Sequence, residues 1–277
     1  DVGGPGFYSK RGPGWDLVDL DNDSILDLIL LTDPETDQLW PDGKGVSWRM
    51  LKGTGTSFAD PTPWPVPDLG TGPFKSMERC DGTLGCWQVV DINADGFADL
   101  VHSADAGAPT TVWDALTTPN WHVYLNDGSG FSANVIQWQL PTAAHEQGFF
   151  RPNLAAYWRI VDLDGDDAAE LVQTRPFPIG AGPFYEGQQP FWHRFQPRTE
   201  GFEVTPTNWD VPIGTTPFDS MGKAQDSLFW ETIDIDGDGL LDLVHTANSQ
   251  GPTPAVWGAP NSDQWKVYLG TTSGFSG

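Results

Sequence analysis

Four short segments of the sequence each place oxygen-bearing side chains at the first, third, fifth and ninth positions of a loop. In ETIDIDGDGLLDLVHTA, at 231–247, four carboxylates fall within nine residues. Side chains at alternate positions of a tight loop point towards its centre. There they can surround a hard cation, which takes six to eight oxygen ligands at about 2.3–2.6 Å. The four sets are Asp19, Asp21, Asp23 and Asp27; Asp91, Asn93, Asp95 and Asp99; Asp162, Asp164, Asp166 and Glu170; and Asp234, Asp236, Asp238 and Asp242.

Calcium is the cation that this ligand set predicts. Magnesium demands a stricter octahedron and keeps more of its water. Solvated Asp-rich turns would account for one such segment, but four in register favour metal binding. We predict up to four Ca²⁺ ions, and 4 × (+2) would reduce the formal net charge of −24 to −16. Water and a backbone carbonyl at the seventh position would complete each shell, the carbonyls belonging to Ile25, Phe97, Ala168 and Leu240.

The sixth position of such a loop usually takes a positive φ, which glycine tolerates best. Gly96 and Gly239 stand there in the second and fourth segments, whereas Ser24 and Asp167 stand there in the first and third. The first and third segments are therefore predicted to fit the calcium loop less closely.

The elements that position these segments recur along the chain. The segments WDLVDLDNDSILDL, WQVVDINADGFADL, WRIVDLDGDDAAEL and WETIDIDGDGLLDL begin at Trp15, Trp87, Trp158 and Trp230, at spacings of 72, 71 and 72. A second landmark follows each of them, an aromatic residue with a phenylalanine ten positions later, as in NWHVYLNDGSGF. Each repeat therefore supplies four strands, A to D, which in the second repeat are predicted at 87–90, 100–102, 121–125 and 135–140.

Four antiparallel strands at a fixed period predict an all-β fold, a β-propeller of four-stranded blades. We expect one domain over 1–277, with blades at about 15–72, 73–143, 144–215 and 216–277. Strand D of the last blade is missing at the C-terminus, and DVGGPGF resembles 210–218, so residues 1–14 are expected to close that blade. Part of a seven- or eight-bladed ring is the alternative. A double period of 143, from Trp15 to Trp158, indicates that a two-blade unit was duplicated.

The acidic segments and their strand-like flanks, such as WETI before and LDLV after the loop at 234–242, resemble the FG-GAP/VCBS repeat. That family includes integrin α-subunit propellers, integrin-like fungal lectins and several bacterial surface and toxin proteins. The resemblance covers all four repeats. It implies a calcium-binding propeller with a role in recognition or adhesion, and it does not name a ligand.

The amino-acid composition limits which partners the protein can bind and indicates where it is located. With 38 acidic against 14 basic residues, the chain is not expected to bind nucleic acid. The sequence contains no apolar run of about 18 residues, so membrane insertion is not expected. Cys80 and Cys86 can close a small disulfide loop, with two free thiols as the alternative. This composition predicts a secreted or cell-surface protein. The chain starts at Asp1 without Met, so processing or excision from a longer protein with flanking domains is expected.

The fourteen tryptophans can all be placed in the repeat, mostly in strands, where packing between blades explains them best. Trp40, Trp113 and Trp257 lie instead between strands B and C, on the rim opposite the acidic loops, where an indole can either contact a ligand or anchor its loop. His102 and His245 end strand B, with a structural role favoured over binding. His122 and His193 occupy a position that is basic in every repeat, which suggests pairing with a carboxylate.

No catalytic constellation emerges, and no catalytic residue is predicted. The leading hypothesis is a non-enzymatic calcium-binding propeller that recognises an extracellular glycan or protein, with lectin activity as its sharper form. A scaffold module of a larger surface or toxin protein is the alternative, and a propeller hydrolase or lyase is the least favoured. The longer loops also suggest a homo-oligomer interface.

Overall fold

The computed structural model of the chain describes residues 14–33, 35–36, 38–41, 43, 45–69, 74–75, 77, 79–81, 85–104, 113, 118–141, 158–166, 168–174, 184–186, 189–212, 230–245 and 264–276. Every regular element in these ranges is a β-strand. The strands form four small sheets, each an antiparallel blade of the β-propeller class. The fold class predicted from the repeat is confirmed. Within the described ranges there is no helix long and apolar enough to span a membrane.

The chain divides into two compact units, residues 1–138 (unit 1) and 139–277 (unit 2), in keeping with the double period. In unit 1, blade 1 consists of β1 (Trp15–Val18), β2 (Asp27–Leu30), β3 (Trp40–Pro41), β4 (Val46–Leu51) and β5 (Thr62–Val66). Blade 2 consists of β6 (Arg79–Asp81), β7 (Gly85–Val90), β8 (Asp99–Ala104), β9 (Asn120–Tyr124) and β10 (Ile136–Gln139), whose last residue reaches the unit boundary.

Unit 2 repeats this plan. Blade 3 consists of β11 (Trp158–Val161), β12 (Glu170–Gln173), β13 (Phe184–Glu186), β14 (Gln189–Phe195) and β17 (Thr207–Asp210). A short hairpin of β15 (Pro197–Arg198) and β16 (Gly201–Phe202) connects β14 to β17 along the chain. Blade 4 consists of β18 (Trp230–Ile233), β19 (Asp242–His245) and β20 (Lys266–Tyr268). The hairpin of β21 (Gly270–Thr271) and β22 (Gly274–Phe275) follows it and pairs with β17 of blade 3.

Each blade contains an antiparallel hairpin of strands A and B, joined by one of the acidic segments. Apolar and β-branched residues favour the strands on both sides of the loop. The last residue of strand A pairs with the ninth residue of the acidic segment, which holds the two ends of the loop about 5 Å apart. The pairs are Val18 with Asp27, Val90 with Asp99, Val161 with Glu170, and Ile233 with Asp242.

Within each unit, the turn between strands C and D of the second blade packs a phenylalanine into the first blade. Phe131 meets Trp48 and Trp64 edge-on, with ring centroids 5.3 and 6.4 Å apart. Phe275 meets Trp192 and Trp209 in the same way, at 5.3 and 6.1 Å. The backbone N–H of Phe131 also donates to Pro65 O at 3.0 Å. The recurring Gly-Phe motif is therefore the contact that joins neighbouring blades of one unit.

The strand tryptophans fill the blades, as the packing interpretation predicted. Eight of them are at most 5% exposed: Trp48, Trp64, Trp87, Trp121, Trp138, Trp158, Trp192 and Trp209. Trp265 differs, being 56% exposed at the position where Trp48, Trp121 and Trp192 are fully buried. In the described part of the sheet of blade 4, β20 pairs with β19 alone.

Three short strands were not predicted from the repeat. β3 pairs with β4 and β13 with β14, and both belong to the connection between strands B and C. β6 pairs with β7 at the start of blade 2. β3 and β13 pair with the part of strand C that strand B does not reach, and β6 adds an edge strand beside β7. The expected closure of the last blade by residues 1–14 falls almost wholly outside the described residues.

Candidate metal centre

The ninth residue of each acidic segment is a fully buried carboxylate, and in three of the segments it ties two connections of its blade together. The segments are called loop 1 (19–27), loop 2 (91–99), loop 3 (162–170) and loop 4 (234–242). In loop 1, Asp27 accepts hydrogen bonds from the N–H groups of Leu20 at 3.2 Å and Gly53 at 2.9 Å. Asp99 accepts from Ile92 and Asn126, Asp242 accepts from Ile235 and Gly270, and Glu170 accepts from Leu163.

These bonds give the ninth residue a structural role that the sequence pattern did not reveal. Gly53, Asn126 and Gly270 each begin the turn between strands C and D. A carboxylate that bonds both to its own loop and to that turn holds the two connections on one rim of the blade. The prediction that the acidic loop and the C–D turn share a rim is confirmed for blades 1, 2 and 4.

The first residue of each loop curls the loop around its own carboxylate. Asp19 accepts from the N–H groups of Asp23 at 3.2 Å and Ser24 at 2.7 Å. Asp234 accepts from Gly237 at 2.6 Å and Gly239 at 3.0 Å. Asp91 and Asp162 make the equivalent bonds. The odd-numbered spacing therefore does place the side chains inside the loop, as predicted.

The fifth residue of every loop accepts a hydrogen bond from the backbone N–H of the seventh. The distances are 2.9 to 3.0 Å in the pairs Asp23 with Ile25, Asp95 with Phe97, Asp166 with Ala168, and Asp238 with Leu240. This bond engages one carboxylate oxygen and fixes the orientation of the second. The seventh residue thus supports the loop through its N–H group, in addition to the carbonyl assigned to it from the sequence.

Three loops bring carboxylate oxygens from their first, third and ninth residues within 4.8 Å of one another. The groups are Asp19, Asp21 and Asp27; Asp162, Asp164 and Glu170; and Asp234, Asp236 and Asp242. Oδ1 of Asp21 and Oδ1 of Asp164 are buried, and neither has a hydrogen-bond partner among the described residues. Converging carboxylates with orphaned buried oxygens fit a hard cation, and these three clusters can hold a metal ion.

Loop 2 offers a different donor at its third position. Asn93 replaces the aspartate there, and its Nδ2 donates to Asp95 Oδ2 at 3.0 Å. Its amide oxygen accepts from the N–H of Asp95 at 3.1 Å. An amide oxygen is a neutral calcium ligand, so the donor types of loop 2 suit calcium with one charge fewer than the other loops.

The fourth and sixth positions of loops 1, 2 and 4, and the fourth position of loop 3, take the left-handed backbone conformation, although only the sixth position was predicted to do so. At the sixth position Ser24 has a φ of 66°, close to the 88° of Gly96 and the 90° of Gly239. Loop 1 therefore keeps the shape of loops 2 and 4 despite its serine, which corrects the expected departure of that loop. Asp167 lies outside the described residues. The fourth position was missed and also has positive φ, at Asn22, Ala94, Gly165 and Gly237.

Burial raises the pKa of the ninth carboxylate in loops 1, 2 and 3. It raises the pKa of Asp99 to about 7 and the pKa of Glu170 to about 8, because removal from water penalises the charged form. It also raises the pKa of Asp27, where the negative charges of Asp21 and Asp23 add to the effect. A bound divalent cation would act in the opposite direction and favour the carboxylate form.

Two loops contain a basic side chain that sequence analysis did not assign to them. Lys52 Nζ contacts Asp21 Oδ2 and lies 3.0 Å from Asp23 Oδ2 in loop 1. These hydrogen bonds raise the pKa of Lys52 and lower that of Asp23. In loop 3, Arg194 Nη1 contacts Asp164 Oδ2 and lies 3.5 Å from Glu170 Oε1. The signal that could have found them is a basic residue near the end of strand C.

The candidate ligand residues of blade 2 form one aromatic stack. Trp113 is half-buried and stacks on His122, with centroids 3.9 Å apart and planes 6° from parallel. His102 is 2% exposed beneath it, and its ring meets Trp113, Trp87 and Phe74 edge-on. His102 therefore belongs to the packed interior of the blade, which agrees with the structural role favoured for it.

The described candidate and equivalent residues of the other blades also lie within their sheets. Trp40 lies in β3 on the sheet, with the Arg49 guanidinium 5.8 Å from its ring centroid. His193 stacks on Phe184 at 3.8 Å, and burial lowers its pKa, the opposite of what carboxylate pairing would do. The expected carboxylate partner of His193 is replaced by this stack. His245 is 5% exposed in β19.

Unit 1 also has an apolar cleft of about 680 Å³ between blades 1 and 2. Trp113, His122 and Phe131 line one part of it, and Pro65, Val66 and Leu69 line another. The candidate Trp257 lies outside the described residues. So do the side chains of Cys80 and Cys86, although their backbones pair directly opposite each other in β6 and β7.

Neither a scan against protein-family models nor a search of the curated proteins finds a match for this chain.

Proposed function

We propose that this protein is a non-enzymatic, calcium-binding β-propeller of the FG-GAP/VCBS type that acts in recognition or adhesion outside the cell. The observation that carries the proposal is one loop geometry repeated in all four blades. A first-position carboxylate curls the loop, a fifth-position carboxylate caps it, and a buried ninth-position carboxylate clamps it to the sheet. Such repetition favours a metal-binding scaffold over a single asymmetric active site.

Calcium would be held by the side chains at positions one, three, five and nine and by the seventh carbonyl. The convergence of three carboxylates within 4.8 Å and the orphaned oxygens of Asp21 and Asp164 support this assignment. Calcium tolerates the mixed and irregular donor sets of the four loops better than magnesium does. When bound, it would supply the positive charge that offsets the mutual repulsion of the carboxylates.

The ligand proposed for the propeller is a glycan or a protein. The cleft of about 680 Å³ beside Trp113 supports this, because concave apolar sites edged by an aromatic ring suit both sugar stacking and protein docking. The acidic balance of the chain, 38 acidic to 14 basic residues, supports an extracellular setting and argues against nucleic acid.

A glycan array read with calcium and again with EGTA tests the proposal directly. We expect binding in calcium, and at least a tenfold loss in Trp113→Ala with the melting temperature unchanged. Trp40→Ala is the matched control, because Trp40 lies at the corresponding connection of blade 1 but does not line the cleft. Equal losses in both variants would indicate general disruption and would remove the support for a site at Trp113.

A scaffold module within a larger surface or toxin protein is the second candidate. The stacking of Trp113 on His122 supports it, since an indole packed on one face serves to anchor its loop. Calcium-dependent stability with no glycan or protein binding would favour this candidate. Turnover of a polysaccharide would instead favour the hydrolase or lyase alternative.

A further inference from the structure

Among the described residues, Lys and Arg side chains contact the acidic loop only in the first blade of each unit. Lys52 directly follows β4 in blade 1, and Arg194 lies in β14 of blade 3. Lys52 contacts the third and fifth residues of loop 1, and Arg194 contacts the third and ninth residues of loop 3. Each side chain places its positive charge among carboxylates that would otherwise ligate a cation.

The repeat shows which residues replace these two in the other blades. Counting from the strand C tryptophan, Lys52 corresponds to Leu125, Gln196 and Leu269, and Arg194 corresponds to Met50, Val123 and Val267. Blades 2 and 4 therefore carry apolar residues at both positions. Among the described residues, no Lys or Arg forms an ion pair with a carboxylate of loop 2 or loop 4.

We infer that the four loops are two classes of calcium site, with high affinity in loops 2 and 4 and lower affinity in loops 1 and 3. In loops 1 and 3 calcium must displace an internal cation, Lys52 or Arg194, whereas no described Lys or Arg competes for the carboxylates of loops 2 and 4. This inference rests on the proposed calcium function. It assigns Lys52 and Arg194 as the residues that set the affinity of their loops.

The two internal cations differ in how firmly they are held. The Lys52 side chain is 45% exposed, so it can move into solvent when calcium binds. Because an exposed ion pair is weak, we expect Lys52 to lower the calcium affinity of loop 1 by about fivefold or less. The Arg194 side chain is 13% exposed and lies 4.9 Å from the Trp209 ring centroid. A charge-assisted contact of this kind is stronger, and we expect it to weaken calcium binding by about thirtyfold.

Calorimetric titration of calcium into the chelator-stripped chain tests the inference. We expect two ions to bind tightly and two more to bind more weakly, by up to about fivefold in loop 1 and by about thirtyfold in loop 3. Lys52→Gln and Arg194→Met should each strengthen one weak site, by about fivefold and about thirtyfold, and leave the tight pair unchanged. Both replacements occur naturally at the same repeat positions, as Gln196 and Met50. Thermal unfolding in EGTA confirms that each variant folds.

The reverse substitution gives an independent test. Leu269 is 44% exposed, so Leu269→Lys can place an ammonium group beside loop 4 without filling the core. It should weaken one tight site. Four equal sites in the native chain, or two classes that none of these variants alters, would overturn the inference while leaving the calcium proposal standing. Absence of any calcium binding would overturn the calcium proposal itself.

Discussion

Within each unit, the fourth residue of the first acidic loop lies close to the sixth residue of the second acidic loop. A Cβ added at Gly96 in loop 2 would lie 2.2 Å from Asn22 Nδ2 in loop 1. A Cβ added at Gly165 in loop 3 would lie 2.4 Å from Gly239 O in loop 4. The two pairs of loops are related by the 143-residue double period, so the same contact recurs in both units.

Gly165→Ala and Gly237→Ala separate backbone strain from steric contact. Both glycines hold the fourth loop position with positive φ, at 69° and 81°, but nothing lies within 4 Å of a Cβ at Gly237. We expect Gly237→Ala to lower the free energy of unfolding by about 1 kcal/mol through strain alone. Gly165→Ala should cost at least about 1 kcal/mol more, because a backbone oxygen must move. Equal losses in urea unfolding would refute the close approach of loops 3 and 4.

His193 predicts a specific pH dependence of stability. Burial lowers its pKa, so below the ordinary histidine pKa of about 6.5 the unfolded chain binds a proton that the folded chain binds less readily. The free energy of unfolding should therefore fall as the pH drops below about 6.5. His193→Phe, which keeps the ring stacked on Phe184, should remove this contribution.

The measurement compares urea unfolding of the native chain and of His193→Phe at pH 7.5 and pH 5.5. The native chain should lose more stability between these two values than the variant does. Identical losses would show that His193 titrates normally. Because the acidic loops are the same in both proteins, their own titration cancels in the comparison.

At the scale of elements, the Gly-Phe turn is the joint between two blades of a unit. Phe131 and Phe275 are 5% and 6% exposed, and each lies between two buried tryptophans. The sequence showed that a phenylalanine follows the strand C aromatic residue by ten positions, but it did not show where the ring goes. The ring goes into the preceding blade, because the turn docks on strand D of that blade.

Phe131→Ala should therefore lower the free energy of unfolding by about 3 to 5 kcal/mol, the usual cost of removing a buried phenylalanine. Phe58→Ala is the matched control, because Phe58 holds the same repeat position but is 46% exposed. We expect the control to change stability by about 0.5 kcal/mol or less. A loss of similar size in Phe58→Ala would contradict this difference in packing between the two rings.

The conformation of the acidic loops could be predicted from the sequence, but their contacts with residues distant in sequence could not. The A–B hairpin is local, so spacing along nine residues was enough to place its carboxylates inside the loop. The ninth residue forms its second bond with a residue 26 to 28 positions away in blades 1, 2 and 4. Sheet register decides that contact, and no local pattern reports it.

For the whole molecule, the formal charge of −24 makes calcium the main expected stabiliser. At a calcium concentration ten times Kd, each filled site adds about 1.4 kcal/mol to the free energy of unfolding. Two filled sites should raise the melting temperature by about 5 to 10 °C relative to EGTA. Magnesium at the same concentration is the control and should have a smaller effect. Equal melting temperatures in calcium and EGTA would contradict the metal assignment.

The A–B hairpins and the oxygen-bearing residues of the four loops could be predicted from the sequence alone, with four blades favoured over part of a larger ring. These features depend on short spacings and on a period that survives along the whole chain. Only the tertiary structure revealed that Lys52 and Arg194 enter loops 1 and 3, from 31 and 30 residues away. It also revealed that Phe131 and Phe275 join blades. Such contacts depend on the register of strands that are distant in sequence, and local side-chain patterns do not specify that register.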